Sequence, residues 1–381
     1  MNCPRSCRRI VSLCLLAGAF AAHAQVPQTP DTPFKLATFE AQGRVRVGLV
    51  LGPRVLDIAG ANAQLVKDAR LAPVAMPGDM RELIERYATL APRLYQIANR
   101  FKGGSDAGLP FAFDLSAVKV MAPIKYPWNL LAAAANYRAH AEGMSGAPAG
   151  GQAGQPSPGA RRGGFDPSVI AQIDPERDGP IMFAKSARSC IIDPDEPYYI
   201  IPGRRIDWEG ELAVVIGKPA YQVTSAQAHD YVFGYSIMYD VSDRGGEPPR
   251  RVVSMFQGAN WFDGKSIDRG APFGPFIVPK EFLKDAPGNL RIVTRINGVV
   301  KQDQTTKDLI WNEGQLVKFL TSILTLFPGD VISTGTPAGT GAERGEFLKP
   351  GDVVEIEIEG IGTLRTPMKA AAERPGAQAN Q

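Results

Sequence analysis

Apolar runs rich in β-branched residues recur through the second half of the chain and constrain its fold more than any other feature. Pro and Gly turns separate most of them, whereas helical patterns are few, chiefly residues 224–232 and 313–326. Many short strands with frequent turns are typical of a β-rich domain. The runs are ELAVVIG, YVFGYSIMYDVS, PFGPFIV, LRIVTRING, DVISTG and DVVEIEIEGIGTL. The sequence therefore predicts an α+β, β-rich fold with scattered helices.

A smaller unit is predicted ahead of this domain, at residues 34–118. Between Leu36 and Ile58, strand-like runs alternate with Gly turns, which indicates hairpins. Residues 80–101 then place apolar side chains at helical spacing, which predicts an amphipathic helix. We therefore predict a small α+β N-terminal domain, followed by a larger domain at residues 119–369.

Three segments lack the composition of a packed structure. Residues 145–178 form a Gly/Pro-rich insertion inside the larger domain. Long irregular loops inside compact domains are often lids, so a lid is one interpretation and a tolerated insertion is the other. Residues 25–33 are predicted to be a flexible entry, and residues 370–381 a disordered tail.

The first 24 residues have the layout of a secretory signal peptide. Three arginines precede an apolar run that begins at Ile10, and an Ala-x-Ala site precedes the expected cleavage after Ala24. The apolar run is too short to span a bilayer comfortably. We therefore expect an exported protein that is periplasmic or secreted.

Signal cleavage would also limit the partners of the protein. It would leave Cys190 as the one cysteine, which excludes an internal disulfide and a zinc–thiolate site. Loss of the three arginines would balance the charges, since the full chain has 42 basic and 39 acidic residues. A near-neutral chain has no overall field to attract nucleic acid or anionic lipid. No later segment is apolar for long enough to be a transmembrane helix, so we expect neither nucleic-acid nor membrane partners.

The stretch DWEGELAVVIG places two carboxylates directly before an apolar run. Glu209 and Glu211 are two residues apart, so a strand would point both side chains toward one face. Asp240, at the end of another apolar run, could supply a third carboxylate. Three such oxygen ligands suit Mg²⁺, Mn²⁺ or Ca²⁺, whereas His140 and His229 are too few for a typical His-rich zinc centre. Ordinary solvated or salt-bridged carboxylates are the alternative interpretation.

Seven motifs occur in a fixed order along the second part of the chain: NYRAH, DWEGELAVVIG, YDVSDR, GKSIDRGAPFGPFIV, NGVVKQDQTTKDLI, FPGDVISTGTPAGTG and LKPGDVVEIEIEGIGTL. In these motifs the chain resembles the fumarylacetoacetate hydrolase family, from about Val120 to Met368. The resemblance implies a mixed β-sandwich roll of the family's C-terminal type, preceded by a small α+β domain, and commonly a homodimer. It also implies an enzyme that depends on Mg²⁺ or Mn²⁺ and acts on 2-oxo acids or 1,3-diketo acids.

The resemblance assigns roles to individual residues by their positions in the motifs. Glu209, Glu211 and Asp240 match the family's metal-binding carboxylates. Lys265 matches an active-site lysine that can stabilise developing oxyanion charge. His140 matches the general base that takes a proton from the attacking water. Softer matches to positions that contact substrate or shape its pocket are Tyr137, Lys185, Arg244 and Thr336.

The chain departs from the family's pattern just after His140. Relatives with this motif carry a Glu three residues after the His, where it completes a catalytic dyad, but this chain has Gly143 there and Glu142 one residue earlier. On a helix, that displacement is a rotation of about 100°. Either the lid is irregular and Glu142 still reaches the site as a catalytic residue, or the dyad is broken.

Three functions are compatible with this sequence. The leading hypothesis is a metal-dependent hydrolase that cleaves C–C bonds in acylpyruvate-like or other 1,3-diketo acids through a metal-stabilised enolate. A 2-oxo acid lyase (decarboxylase or hydratase) or an isomerase could use the same enolate. A non-catalytic oxo-acid-binding protein is the third, which the displaced Glu142 favours and the presence of His140 and Lys265 opposes.

Overall fold

The computed structural model describes residues 26–104, 108–145, 167–250, 253, 261–283 and 288–375. The predicted signal peptide, residues 146–166 of the predicted insertion and residues 376–381 of the predicted tail lie outside these ranges. Within them, no helix combines the length and the hydropathy needed to cross a membrane.

The first part of the chain forms short antiparallel strands, as the hairpin pattern predicts, and its described residues contain three helices. The stretch predicted to be one amphipathic helix, residues 80–101, forms two helices separated at Arg86. Asp79 caps α2, because its carboxylate accepts the amides of Arg81 and Glu82. The elements are β1 (Lys35–Ala41), β2 (Arg44–Leu51), β3 (Arg54–Asp57), α1 (Ile58–Ala69), α2 (Met80–Glu85), α3 (Tyr87–Phe101), β4 (Ala112–Asp114) and β5 (Lys119–Met121).

The second part is rich in strands, and its helices are short. Its strands are β6 (Leu130–Ala134), β7 (Ile181–Ala184), β8 (Ile191–Ile192), β9 (Tyr198–Ile200), β10 (Arg204–Asp207), β11 (Gly210–Ile216), β12 (Val232–Tyr239), β13 (Ser242–Gly246), β14 (Ala271–Pro279), β15 (Arg291–Ile296), β16 (Val299–Thr305), β17 (Val331–Ser333), β18 (Val353–Ile358) and β19 (Gly362–Ala370). Its helices are α4 (Arg138–Ser145), α5 (Pro167–Ile170), α6 (Ala187–Cys190), α7 (Trp261–Lys265), α8 (Glu313–Thr321) and α9 (Gly341–Arg344). The predicted α+β, β-rich fold class is confirmed.

Two large mixed sheets organise these strands. The larger has the order β4–β3–β2–β1–β14–β12–β11–β17–β6–β7, with β5 beside β1 and β8 beside β14. The smaller has the order β16–β15–β18–β19–β9, and β10 and β13 form a separate pair. Most neighbours are antiparallel, whereas β17–β6, β14–β8 and β19–β9 are parallel.

Strand β11 is buried on both faces, which explains its unbroken apolar run. Leu212, Val214 and Ile216 pack in one core cluster with side chains of the smaller sheet. Ala213 and Val215 belong to a second cluster, which contains the apolar faces of α1 and α3. Strand β11 therefore packs into both clusters, one shared with the smaller sheet and one shared with the N-terminal helices.

The N-terminal strands continue the larger sheet rather than forming a separate one. Strand β1 lies antiparallel to β14, with Leu36 opposite Ile277. The predicted flexible entry is anchored on α3, because Asn99 Nδ2 donates to the carbonyl oxygens of Pro27 and Thr29 at 3.1 and 3.0 Å. The described part of the predicted entry is therefore bonded to the N-terminal unit.

The predicted disordered tail begins too early. Ala370 is the last residue of β19, and residues 371–373 form a 3-10 turn in which Glu373 Oε1 accepts the Ala370 amide at 2.8 Å. Arg374 then forms an ion pair with Asp268 at 2.8 Å. Residues 370–375 therefore have defined contacts, whereas the sequence predicts disorder from residue 370 onward.

Candidate active site

The structure brings the three predicted metal-binding carboxylates together. Glu209 directly precedes β11, and Asp240 directly follows β12, whose last residue lies opposite Gly210. The Asp240 amide donates to the Glu209 carbonyl at 3.0 Å. One carboxylate oxygen from each of Glu209, Glu211 and Asp240 lies within 4.8 Å of the others, and all three residues are buried. The pairing of β11 with β12 therefore builds the group.

Close packing against the smaller sheet explains why a glycine, Gly210, lies between the two glutamates. A Cβ on Gly210 would lie 2.4 Å from Thr294 Oγ1 and 2.9 Å from a methyl of Ile356, both in the smaller sheet. Because side chains alternate along a strand, this close packing directs Glu209 and Glu211 away from the smaller sheet. The Glu-Gly-Glu pattern thus combines tight sheet packing with two carboxylates on the opposite face.

Three cations surround the carboxylates. Lys265 Nζ lies 2.5 Å from Glu209 Oε2 and 2.6 Å from Asp240 Oδ2. Lys185 Nζ lies 2.6 Å from Asp240 Oδ1, and the Arg244 guanidinium contacts Glu209. Burial alone would raise the pKa of Glu209, but the charges of Lys265 and Arg244 hold it below its ordinary value.

Glu211 is held differently, because its hydrogen-bond donors are neutral. Its Oε2 accepts from Ser333 Oγ at 2.6 Å and from the Gly335 amide at 2.9 Å. Burial, followed by the nearby charges of Asp240 and Glu209, raises the pKa of Glu211 to about 8. Glu211 therefore needs additional positive charge to ionise at neutral pH.

An unpartnered hydroxyl lies near this carboxylate. Tyr137 is fully buried, and its Oη makes no hydrogen bond to any other described residue. Burial, and then the charge of Glu211, raise the pKa of Tyr137 above its ordinary value, so its hydroxyl keeps its proton. The Tyr137 hydroxyl is thus available to donate a hydrogen bond to a ligand oxygen. Together with the three closely spaced carboxylates, it is compatible with a site for a divalent cation and an oxygen-bearing ligand.

His140 has a carboxylate partner from a distant part of the chain. It is buried in α4, and its Nδ1 forms a hydrogen bond with Glu343 Oε1 of α9. A Cβ on Gly143 would lie 3.0 Å from the Glu343 carboxylate, so Glu343 occupies space beside the position where relatives carry the dyad glutamate. Glu142 is exposed, in contrast to His140. The catalytic role predicted for Glu142 stays a prediction, whereas the contact to His140 belongs to Glu343.

Two residues predicted to contact the substrate are bonded to other groups of the protein. The Lys185 side chain is fully buried against Asp240. Thr336 Oγ1 accepts from Gln302 Nε2 at 2.8 Å and donates to the Gly210 carbonyl at 3.1 Å. Their predicted substrate contacts, like those of Tyr137 and Arg244, stay predictions.

Sequence reasoning missed two residues of the site. Glu343 lies 203 positions from His140, so no local spacing could connect them. Asp207 lies inside the DWEGE stretch, two residues before Glu209, and its carboxylate pairs with Arg244 at 2.9 Å. The position of Asp207 in that motif could have identified it as a site residue. Of this stretch, only Glu209 and Glu211 are considered as candidates in the sequence analysis.

The fold thus buries three closely spaced carboxylates beside a lysine, and such a set of oxygen donors can hold a hard divalent cation. The chain belongs to the fumarylacetoacetate hydrolase family, because the family model described as fumarylacetoacetate (FAA) hydrolase C-terminal matches residues 129–369.

Relatives with different activities share this fold. The oxaloacetate tautomerase of Bacillus subtilis is 31% identical over 339 residues, which cover 87% of this chain and 98% of the relative. The maleylpyruvate hydrolase of Sphingobium sp. SYK-6, solved with manganese(II) and pyruvate, is 25% identical with a TM-score of 0.57, covering 88% of this chain and 99% of the other. A 5-carboxymethyl-2-hydroxymuconate delta-isomerase of Mycobacterium smegmatis is 26% identical with a TM-score of 0.57, covering 88% and 98%.

Proposed function

We propose that this protein is a divalent-metal-dependent hydrolase that cleaves C–C bonds in acylpyruvate-like 1,3-diketo acids through an enolate. The observation that carries the proposal is the group of three buried carboxylates, Glu209, Glu211 and Asp240, with ligand oxygens within 4.8 Å of one another. A manganese ion with pyruvate in the Sphingobium hydrolase supports both the cation and the 2-oxo acid class.

The three carboxylates would hold Mg²⁺ or Mn²⁺, and Ca²⁺ is compatible with the same oxygen ligands. When bound there, such a cation would supply Lewis-acid stabilisation of negative charge on a 2-oxo acid. Glu211 lacks a cationic hydrogen-bond partner, so it gains most from this charge. Arg244 and Lys265 fix Glu209, and Lys185 and Lys265 fix Asp240, so the remaining ligands are oriented in advance.

His140 is the general base of the proposed reaction. Its Nδ1 is engaged by Glu343, so with the proton on Nδ1 the opposite nitrogen has the free lone pair needed to take a proton from water. His140 also contributes to lowering the pKa of Glu209, which reflects its closeness to the metal carboxylates. Glu343 would stabilise the imidazolium that forms on proton transfer.

Lys265 supplies fixed positive charge to the site. Asp240, followed by Glu209, raises the pKa of the buried Lys265 ammonium despite the opposing effect of burial. A permanently charged ammonium beside the metal carboxylates can stabilise oxyanion charge that develops on the substrate.

Keto–enol isomerisation of a 2-oxo diacid is the second candidate. The observation in its favour is the Bacillus oxaloacetate tautomerase, which matches 87% of this chain. That reaction needs the same enolate and the same proton carrier, but no water attack and no broken C–C bond.

A direct assay separates these functions. Purified protein with Mg²⁺, Mn²⁺ or EDTA is mixed with acetylpyruvate, and product acids are quantified; enol-oxaloacetate is then followed by its ultraviolet absorbance. We expect metal-dependent release of pyruvate and acetate. Metal-dependent loss of enol absorbance without C–C cleavage would favour the tautomerase. Retained oxo-acid binding without any turnover would reject both enzymes in favour of a binding protein.

Two expectations from the sequence accompany this proposal. We infer that the protein works as a homodimer, to be tested by light scattering after gel filtration. We also infer that it acts after export, which N-terminal sequencing of the protein recovered from a native host would test by showing cleavage after Ala24.

A further inference from the structure

Asp207 is a fully buried carboxylate with donors on both oxygens. Its side chain has no exposed surface. Oδ1 accepts the amides of Trp208 and Gly341 at 2.8 and 2.5 Å, and Oδ2 accepts Arg244 Nε and the Ala342 amide at 2.9 and 3.1 Å. These four donors come from three separate segments of the chain, so Asp207 joins all three.

The first connection leads to the proposed base. Gly341 and Ala342 open the turn of α9 that carries Glu343, and Glu343 contacts His140. Glu343 Oε2 is further held by the Gly339 amide at 2.7 Å. Fixing two successive amides at the start of the turn limits its rotation, and therefore limits where the Glu343 carboxylate can lie.

The second connection leads to the metal carboxylates. The guanidinium of Arg244 uses Nε for Asp207 and Nη2 for Glu209, so one planar group spans both carboxylates. Trp208, the residue between them, donates its amide to Asp207, which sets the backbone direction directly before Glu209.

We propose that Asp207 is a positioning residue that sets the Glu343–His140 pair and the Glu209 carboxylate in one fixed relation. This inference rests on the proposed function for its catalytic consequence. Asp207 has no exposed surface, so it acts through Glu343 and Arg244 rather than on the substrate.

The test is Asp207→Asn, which keeps the shape but replaces one acceptor oxygen with an amide that faces N–H donors. Asp193→Asn is the control, because Asp193 is 1% exposed and also accepts a backbone amide (Ala122, 2.9 Å) and pairs with two lysines (Lys125, 2.6 Å; Lys119, 3.3 Å). Thermal unfolding of both variants reports any general loss of stability.

The first readout is the ¹⁵N resonance of His140 Nδ1, which reports its hydrogen bond without requiring turnover. The chain has three histidines, so labelling histidine gives a spectrum that His140→Gln assigns. We expect Asp207→Asn to move the resonance to the position found in Glu343→Gln, and Asp193→Asn to leave it in place. An unmoved resonance in folded Asp207→Asn would overturn the proposal.

The second readout is kinetic. Substitutions of residues that orient a metal site typically cost about 10- to 100-fold, so we expect that loss in kcat for Asp207→Asn, with a much smaller change in KM. Adding Glu343→Gln to Asp207→Asn should cost little more, because both act on one unit. Fully additive losses would contradict the inference.

A milder variant covers the case in which Asp207→Asn fails to fold. Ala342→Pro removes one amide donor to Asp207 in the first helical turn, where Pro is tolerated. It should produce the same resonance shift at reduced size, and no shift would overturn the proposal. If the wild-type protein turns over no oxo acid, the proposed function fails, yet the resonance still decides the role of Asp207.

Discussion

Buried carboxylates are stabilised in different ways at two places in this molecule, at Glu313 and in the candidate active site. Glu313, at the start of α8, is 3% exposed, accepts Tyr235 Oη at 2.6 Å and lies 3.0 Å from His229 Nδ1. Burial, and then the charge of Glu313, raise the pKa of Tyr235, so this hydroxyl remains a neutral donor. Glu313 also borders a cavity of about 630 Å³, yet both of its oxygens are already engaged.

The candidate active site concentrates far more charge than this. Four carboxylates, those of Asp207, Glu209, Glu211 and Asp240, are buried together with Lys185 and Lys265, and the partly exposed Arg244 pairs with two of them. Burying charges costs several kcal/mol for each ion, which ion pairing only partly offsets. Glu313, in contrast, is satisfied by two nearby polar side chains, those of Tyr235 and His229. The larger and costlier cluster therefore indicates a ligand.

The largest expected effect comes from removing a metal carboxylate. Glu211→Ala should abolish Mn²⁺ binding and lower kcat/KM by about 10³-fold or more, the scale of losing electrostatic stabilisation of the transition state. Calorimetric titration with Mn²⁺ and the acetylpyruvate assay measure the two losses. Glu313→Gln is the matched control and should leave both unchanged; full activity in Glu211→Ala would remove Glu211 from the site.

The proposed base and its partner give the next effect. His140→Ala should lower kcat by about 10²–10⁴-fold, the usual contribution of a general base, while Mn²⁺ affinity is retained. Glu343→Gln should cost about 10- to 100-fold, as expected for a residue that orients another.

Glu142→Gln is the matched control for this second prediction, because Glu142 is exposed. We expect wild-type kinetics in this variant. A large loss in Glu142→Gln together with full activity in Glu343→Gln would show that the lid glutamate, and not Glu343, serves His140.

The carboxylate assigned to the fold should respond in stability alone. Tyr235→Phe removes a donor to buried Glu313, and leaving such an acceptor unsatisfied costs about 1–3 kcal/mol. Chemical denaturation should show this decrease in the free energy of unfolding, while kcat and Mn²⁺ affinity stay at wild-type values. A loss of turnover without a loss of stability would instead assign Glu313 to function.

The smallest effect concerns Glu281, a carboxylate that accepts hydrogen bonds from two tyrosine hydroxyls. Tyr95 Oη donates to Glu281 at 2.8 Å, and burial, followed by this bond, raises the pKa of Tyr95 to about 12. Tyrosine in the unfolded chain titrates near 10. The folded state thus holds this proton more tightly, so its contribution to stability is present below pH 10 and is lost as pH rises toward 12.

Melting temperatures measured between pH 9 and pH 12 test this prediction. The decline should be shallower in Tyr95→Phe than in the wild-type protein. Parallel curves for the two proteins would show that Tyr95 does not contribute to the alkaline loss of stability.

The sequence predicted the parts of the site that lie within one motif or on adjacent strands. Glu209 and Glu211 share a face because they are two residues apart, and Asp240 joins them because β12 pairs with β11. The apolar runs on both strands carried this information. The β-rich class followed from the same runs and their Pro and Gly turns.

Contacts that depend on tertiary packing could not be predicted in this way. Glu343 reaches His140 because α9 packs against α4, and no local pattern encodes that approach. The pairing of β1 with β14 in the larger sheet could not be predicted for the same reason, since it joins strands more than 200 residues apart. The sequence leaves open whether Gly143 marks an irregular lid or a broken dyad, whereas the structure shows that its missing side chain leaves room for Glu343.

The central claim is that Glu209, Glu211 and Asp240 hold a divalent cation that binds a 2-oxo acid. A crystal grown with Mn²⁺ and pyruvate, with diffraction recorded at the manganese absorption edge, tests it most directly. The account predicts one anomalous peak coordinated by all three carboxylates, with pyruvate oxygens completing the coordination. Manganese bound elsewhere, or pyruvate bound away from these carboxylates, would contradict it.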